Sequence, residues 1–282
     1  MKKFFTAFLI VLAASAVYAS DFIISVGDVS DKRSTEQFNA GLDLKLKATG
    51  DIINDAKGLK AKIIKAVDDT GRDLLRNTED DFFYNKGWTA LDKYAQGGIT
   101  VKLKNPARKA SVVKELAVEI SLFVPKNDPA STVVIKGFMS KLGKPLASPS
   151  LKEAKVEIVA MDKNMHEKLK ASKEKSSKGD DAAKQFGEAV GEAFSSMFGS
   201  MMGMGENSIV LQIKDPAFKI ISIEFTDETG KQIQHRGHMS TGTVSAFEFD
   251  KPMPKNAQLK IHVATQRSMI TKTVKLADIP LP

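Results

Sequence analysis

Leu42, Leu44 and Leu46 alternate with Asp43, Lys45 and Lys47, a period of two that predicts a half-buried strand. Similar runs recur along the first half. Asp21–Val26 (DFIISV), Lys60–Val67 (KAKIIKAV), Ile99–Leu103, Leu116–Val124 (LAVEISLFV), Ser131–Phe138 (STVVIKGF) and Ala154–Met161 all read as strands. Arg72–Leu75 reads as a return strand, and GDVSDKRSTEQFNAG after Val26 reads as a loop. A second series starts at Ser208 (SIVLQI) and continues with Ile220–Thr226, Lys231–His235, Val244–Phe249, Ala257–Thr265 and Ile270–Leu276. Pro106, Pro125, Pro129 and Pro145 fall between the runs, and the prolines of the terminal DIPLP are expected to stop the last strand. The pattern predicts a mainly β chain with two antiparallel, immunoglobulin-like β-sandwich regions, 20–162 and 207–282.

Residues 163–206 break this pattern. A lysine-rich run, KNMHEKLKASKEKSSKGDD, has the composition of a solvated tether and leads into DAAKQFGEAVGEAFSSMFGSMMGMG. Asp180 and Asp181 suit a helix start. From there Phe186, Val190, Phe194, Met197 and Met201 recur at steps of four, four, three and four, with Phe198 beside them. That spacing predicts one amphipathic helix with a single apolar stripe. Gly187, Gly191 and Gly199 each weaken it by about 1 kcal/mol relative to alanine. Such a helix needs a surface: the protein's own sheets, a partner protein or second copy, or an anionic membrane that also meets the lysines. At about 1.5 Å per residue the stripe spans roughly 24 Å, short of a bilayer core of about 30 Å.

Two short signatures recur in both β regions. Asp68-Asp69-Thr70-Gly71-Arg72 resembles Asp227-Glu228-Thr229-Gly230-Lys231, and Lys104-Asn105-Pro106-Ala107 resembles Lys214-Asp215-Pro216-Ala217. Duplicated domains would produce such matches, and so would turns that arose independently. Both acidic segments read as hairpin turns in which glycine takes a positive φ. Their adjacent acids do not follow the spacing of a calcium loop.

Residues 1–19, MKKFFTAFLIVLAASAVYA, have the positive start, apolar centre and small-residue end of a cleaved bacterial signal peptide, so a periplasmic or secreted location is expected. The chain has no cysteine, which excludes thiol catalysis and zinc–cysteine sites. Its formal charge is +8, concentrated between Val101 and Lys178, where 17 Lys and Arg stand against 8 Asp and Glu. Few aromatics interleave with those lysines, so a solvated lysine face is the reading and nucleic acid is not an expected partner.

No nucleophile elbow, phosphate loop or zinc-protease motif is present. His235 and His238 form the one closely spaced histidine pair, and strict strand alternation would put them on opposite faces, so no metal site is expected. Phe83, Tyr84, Trp88 and Tyr94 cluster in an irregular stretch that would either plug the end of a sandwich or line a ligand loop. The expectation is an exported, non-enzymatic envelope protein without cofactor, acting in binding or assembly through the 186–201 stripe. The competing expectation is an enzyme acting on glycan or peptide in a cleft near Trp88.

Overall fold

The computed structural model describes residues 22–34, 40–76, 87–91, 98–162, 205–241 and 243–282. Within them the chain is mainly β. The strands are β1 (Ile23–Lys32), β2 (Gly41–Thr49), β3 (Gly58–Asp68), β4 (Thr89–Ala90), β5 (Gly98–Leu103), β6 (Val112–Phe123) and β7 (Thr132–Lys136). They continue as β8 (Glu157–Asp162), β9 (Ser208–Lys214), β10 (Ile220–Thr226), β11 (Gly237–Thr241), β12 (Val244–Glu248), β13 (Gln258–Val263) and β14 (Met269–Pro280). Four antiparallel sheets result: sheet A in the order β1-β2-β5, sheet B β14-β6-β3-β4, sheet C β10-β13-β7 and sheet D β11-β12-β9-β8.

The leucines of β2 are buried and its Asp and Lys positions face outward, as alternation demands. They pack with Leu59, Val118 and Ile120 of sheet B in one core, so sheets A and B face each other as the first unit. Sheets C and D share a second core built from Ile135, Ile158, Leu211, Phe225, Phe247 and Ile261. Phe225 anchors it, its ring edge-on to those of Phe247 and Phe249 at centroid distances of 5.0 Å each.

Sheet membership departs from the expected split at 163–206. β7 and β8, which precede that segment, complete sheets C and D, while β14 returns to sheet B. The expected boundary therefore falls inside the second unit, between β8 and β9. Periodicity identifies a strand and which face is apolar, but not its neighbour.

A repeat underlies this arrangement. β1, β2, β3, β5, β6 and β7 recur in the same order as β8, β9, β10, β12, β13 and β14. The pairing β1-β2-β5 matches β8-β9-β12, and β3-β6 matches β10-β13. The sixth strands are exchanged: β14 pairs with β6, and β7 pairs with β13. The two connections that carry the exchange touch. Val124 N–H donates to the Ser268 carbonyl at 2.7 Å, and Thr265 Oγ1 donates to Asp128 Oδ2 at 2.6 Å.

The acidic turns occupy equivalent places, after β3 and after β10, and share one hydrogen-bond pattern. Asp68 Oδ1 accepts from Thr70 N–H, Thr70 Oγ1 and Arg72 N–H. Asp227 Oδ1 accepts from Thr229 N–H, Thr229 Oγ1 and Lys231 N–H. Gly71 and Gly230 sit at φ 84° and 87°. The Pro-Ala match does not correspond: one copy follows β5 and the other β9, strands with different places in the repeat.

Several boundaries differ from expectation. β1 runs on to Lys32 past a bulge, because backbone pairing to β2 needs no apolar side chain. The return strands expected at 72–75 and 231–235 reduce to single bridges, Val67–Asp73 and Thr226–Gln232. Pro149–Ala154 is a short helix with Pro149 in its first turn, so β8 starts only at Glu157. β14 continues through Pro280, which an edge strand tolerates.

Candidate functional site

β8, β9 and β12 carry nearly unbroken apolar runs, EIVAM, SIVL and VSAF. A run without alternation is the mark of a strand buried on both faces. Ile158, Ala160, Ile209, Leu211 and Phe247 face the second core. Their neighbours Val159, Met161, Val210, Val244 and Ala246 point the other way, onto the outer face of sheet D. Cross-strand register aligns them in two rows, Val159–Gln212–Val244 and Met161–Val210–Ala246. Met161 and Val210 are each 1% exposed and Ala246 is 0% exposed, yet none of these five apolar residues belongs to either core. Gln212, between Val159 and Val244, is half-buried, and its Oε1 is buried with no hydrogen-bond partner.

The rim of this face is polar and ordered. Glu248, at the end of β12, accepts from Gly205 N–H at 2.9 Å and forms an ion pair with Arg236. The Arg236 guanidinium, and then the Gly205 N–H, hold the Glu248 carboxyl below its usual range. A β-carbon at Gly205 would lie 2.7 Å from Glu248 Oε1, so glycine permits the close approach. Met239, on the edge strand β11, stands beside Ala246 and is 45% exposed.

Trp88 lies at the junction of the two units. Its indole N–H donates to the Phe218 carbonyl at 3.1 Å, and its ring meets that of Phe123 edge-on at 6.3 Å. Phe123, Ile221 and Ala264 form a small cluster there, with Trp88 packed against it. His262 is also buried at this seam, its ring 5.8 Å from that of Phe123. Burial, with Lys260 and Lys57 adding to it, pushes the His262 pKa down, and Glu224 opposes them. The indole is thus committed to packing between units. Phe83, Tyr84 and Tyr94 lie outside the described residues, as do Phe186, Val190, Phe194, Met197, Phe198 and Met201.

The histidine pair corrects the sequence reading. His235 and His238 come together, with ring centroids 5.9 Å apart, and His238 stacks on Phe247 at 4.4 Å. The regular strand begins only at Gly237. Arg236 N–H and Gly237 both address Glu248, and this irregularity returns His235 to the side of His238. Burial, and then the neighbouring His235, push the His238 pKa down. Among the described residues no group of three or more His, Asp or Glu is placed to hold a metal ion. A surface cleft lined by Asp31, Arg33, Arg108 and Leu281 is partly self-satisfied, since Arg33 pairs with Asp31 at 2.8 Å.

Sequence reasoning missed the outer face of sheet D. The signal was present in the three unbroken runs, which differ from the alternation of β2. Comparison of the chain with protein-family models, curated proteins and solved structures finds no significant match.

Proposed function

We propose that the chain is an exported, non-enzymatic protein of the bacterial cell envelope with a role in binding or assembly. Its contact region is the 186–201 stripe together with the outer face of sheet D. The leader at residues 1–19 supports export. The observation that carries the binding reading is the apolar outer face itself. A sheet that closes a core on one side and is apolar and buried on the other must be covered on both sides, so its outer side is read as a contact surface. Its strands β8 and β9 are the ones that residues 163–204 connect, so face and stripe are joined in one chain. Each unit is read as an immunoglobulin-like sandwich, on the strength of its facing antiparallel sheets and short strands. Such a scaffold presents surfaces and carries no chemistry by itself.

The test compares the full chain, a deletion of residues 180–205 and a Phe186→Ser/Phe194→Ser variant. Sedimentation velocity reads self-association, and cross-linking in envelope fractions reads partner capture. Loss of association in both altered chains, with β content unchanged by circular dichroism, is expected. Association retained at full strength in both would refute the reading.

A further inference from the structure

We infer that His235 and His238 form a binding site for one divalent late transition-metal ion, Cu(II) before Ni(II) or Zn(II). The site lies at the edge of the second unit, where the chain crosses from β10 of sheet C to β11 of sheet D. It is separate from the outer face of sheet D and does not depend on the binding role proposed for that face.

The backbone holds the crossing at two points. Ile233 N–H donates to the Phe225 carbonyl of β10 at 2.7 Å, and Arg236 N–H donates to the Glu248 carbonyl of β12 at 2.8 Å. His235 lies between these anchors, and His238 sits in β11 opposite Phe247. The rings are held as well. His238 lies flat on Phe247, with planes 11° apart and centroids 4.4 Å apart. A ring that packs through its face keeps its in-plane nitrogens outside the stack. His235 stands nearly perpendicular to Phe247 and Phe249, at 5.4 and 6.4 Å. Both imidazoles are exposed, and among the described residues neither has a hydrogen-bond partner.

Their centroids are 5.9 Å apart. With a metal–nitrogen bond of about 2.0–2.1 Å, an ion lies about 3.2 Å from the centre of each ring, so two rings sharing it are at most about 6.4 Å apart. The observed spacing falls inside that limit. Arg236, between them in the chain, is ion-paired with Glu248, which offsets its charge. Covering Phe247 and Phe249 at the edge of the core requires only ring surface. It gives no reason for two imidazoles with unpartnered nitrogens side by side.

Imidazole suits copper, nickel and zinc, and affinity among divalent ions peaks at Cu(II). Among the described residues no third His, Asp or Glu joins the pair. The site is therefore open, completed by solvent or by a ligand that another molecule brings. A closed structural site would supply all four ligands itself.

The test uses the full chain with Cu(II), Ni(II) or Zn(II) salts in a non-chelating buffer. Calorimetric titration should show a Cu(II) site that His235→Gln or His238→Gln weakens at least ten-fold. His166→Gln, at the one histidine outside the described residues, should leave it intact. Pulsed electron paramagnetic resonance of the copper-loaded chain should report two imidazoles, and one in either variant of the pair. Unchanged affinity in the His235→Gln/His238→Gln double variant would overturn the inference, and so would a single imidazole in the native spectrum. A second measurement needs no substitution. Diethyl pyrocarbonate modification, read residue by residue by mass spectrometry, should slow at least five-fold at both His235 and His238 when Zn(II) is present. Protection of neither, of one alone, or of His166 in place of the pair would overturn the inference.

Discussion

At the scale of single residues, two buried ionisable groups set expectations for pH. His262 is 4% exposed, between Thr132, Glu224 and the Phe123 ring, with Lys260 and Lys57 near enough to act on its charge. Its pKa is lower in the folded state, so the unfolded chain binds the proton more readily. Its effect on stability is therefore absent well above about pH 6.5 and destabilising as pH falls through that range. His238 has the same sign. Thermal unfolding at pH 7.5 and 5.5 should show a loss for the native chain and a smaller loss for His262→Asn. Asp68 behaves oppositely. Burial pushes its carboxyl up, but hydrogen bonds from Ala107 N–H, Thr70 Oγ1, Arg72 N–H and Thr70 N–H outweigh that and hold it below the usual range. Its contribution is present above about pH 4 and lost as pH falls further. Asp68→Ala orphans several partners and should cost about 2–4 kcal/mol in urea unfolding. Asp227→Ala, in the exposed copy of the turn, should cost less.

At the scale of elements, the contrast between β2 and β9 decides what a substitution does. Sheet A wets one side of β2, so Lys45→Asp should change stability by no more than about 0.5 kcal/mol. β9 is buried on both sides from Ser208 to Leu211. Val210→Asp should therefore be as damaging as Leu211→Asp, each by about 3 kcal/mol or more in denaturant unfolding. A mild effect at Val210 alone would mean that the outer face is not a covered surface. The same contrast was legible beforehand. Leu42, Leu44 and Leu46 alternate with polar residues, whereas SIVL and VSAF do not. What could not be read was the bulge-like irregularity at Arg236–Gly237, which places two histidines on one side. It depends on how the backbone meets Glu248, not on the identity of the histidines.

At the scale of the molecule, exchange of the sixth strands makes two units into one folding problem. The first unit lacks an edge of sheet B until β14 arrives from the end of the chain, and sheets C and D use β7 and β8 from before the 163–204 segment. A protease site inserted near residue 176, once cut, should leave both fragments together under native conditions, separating only in denaturant. Fragments that part on a sizing column without denaturant would contradict the exchange. The seam between the units should couple their unfolding. Phe123 is fully buried there, so Phe123→Ala should cost about 3–5 kcal/mol and destabilise both units together.

Periodicity, turn chemistry and the unbroken apolar runs reside in the sequence because they are local. They determined that the chain is mainly β, that DDTG and DETG are turns closed by glycine, and where most strands lie. The partner of each strand was decided only by the tertiary structure. A strand's backbone donors and acceptors are the same whichever neighbour they meet, and the exchange of β7 and β14 involves contacts far apart in the chain. For the same reason, a second apolar side to sheet D becomes visible only once β8, β9 and β12 lie next to one another.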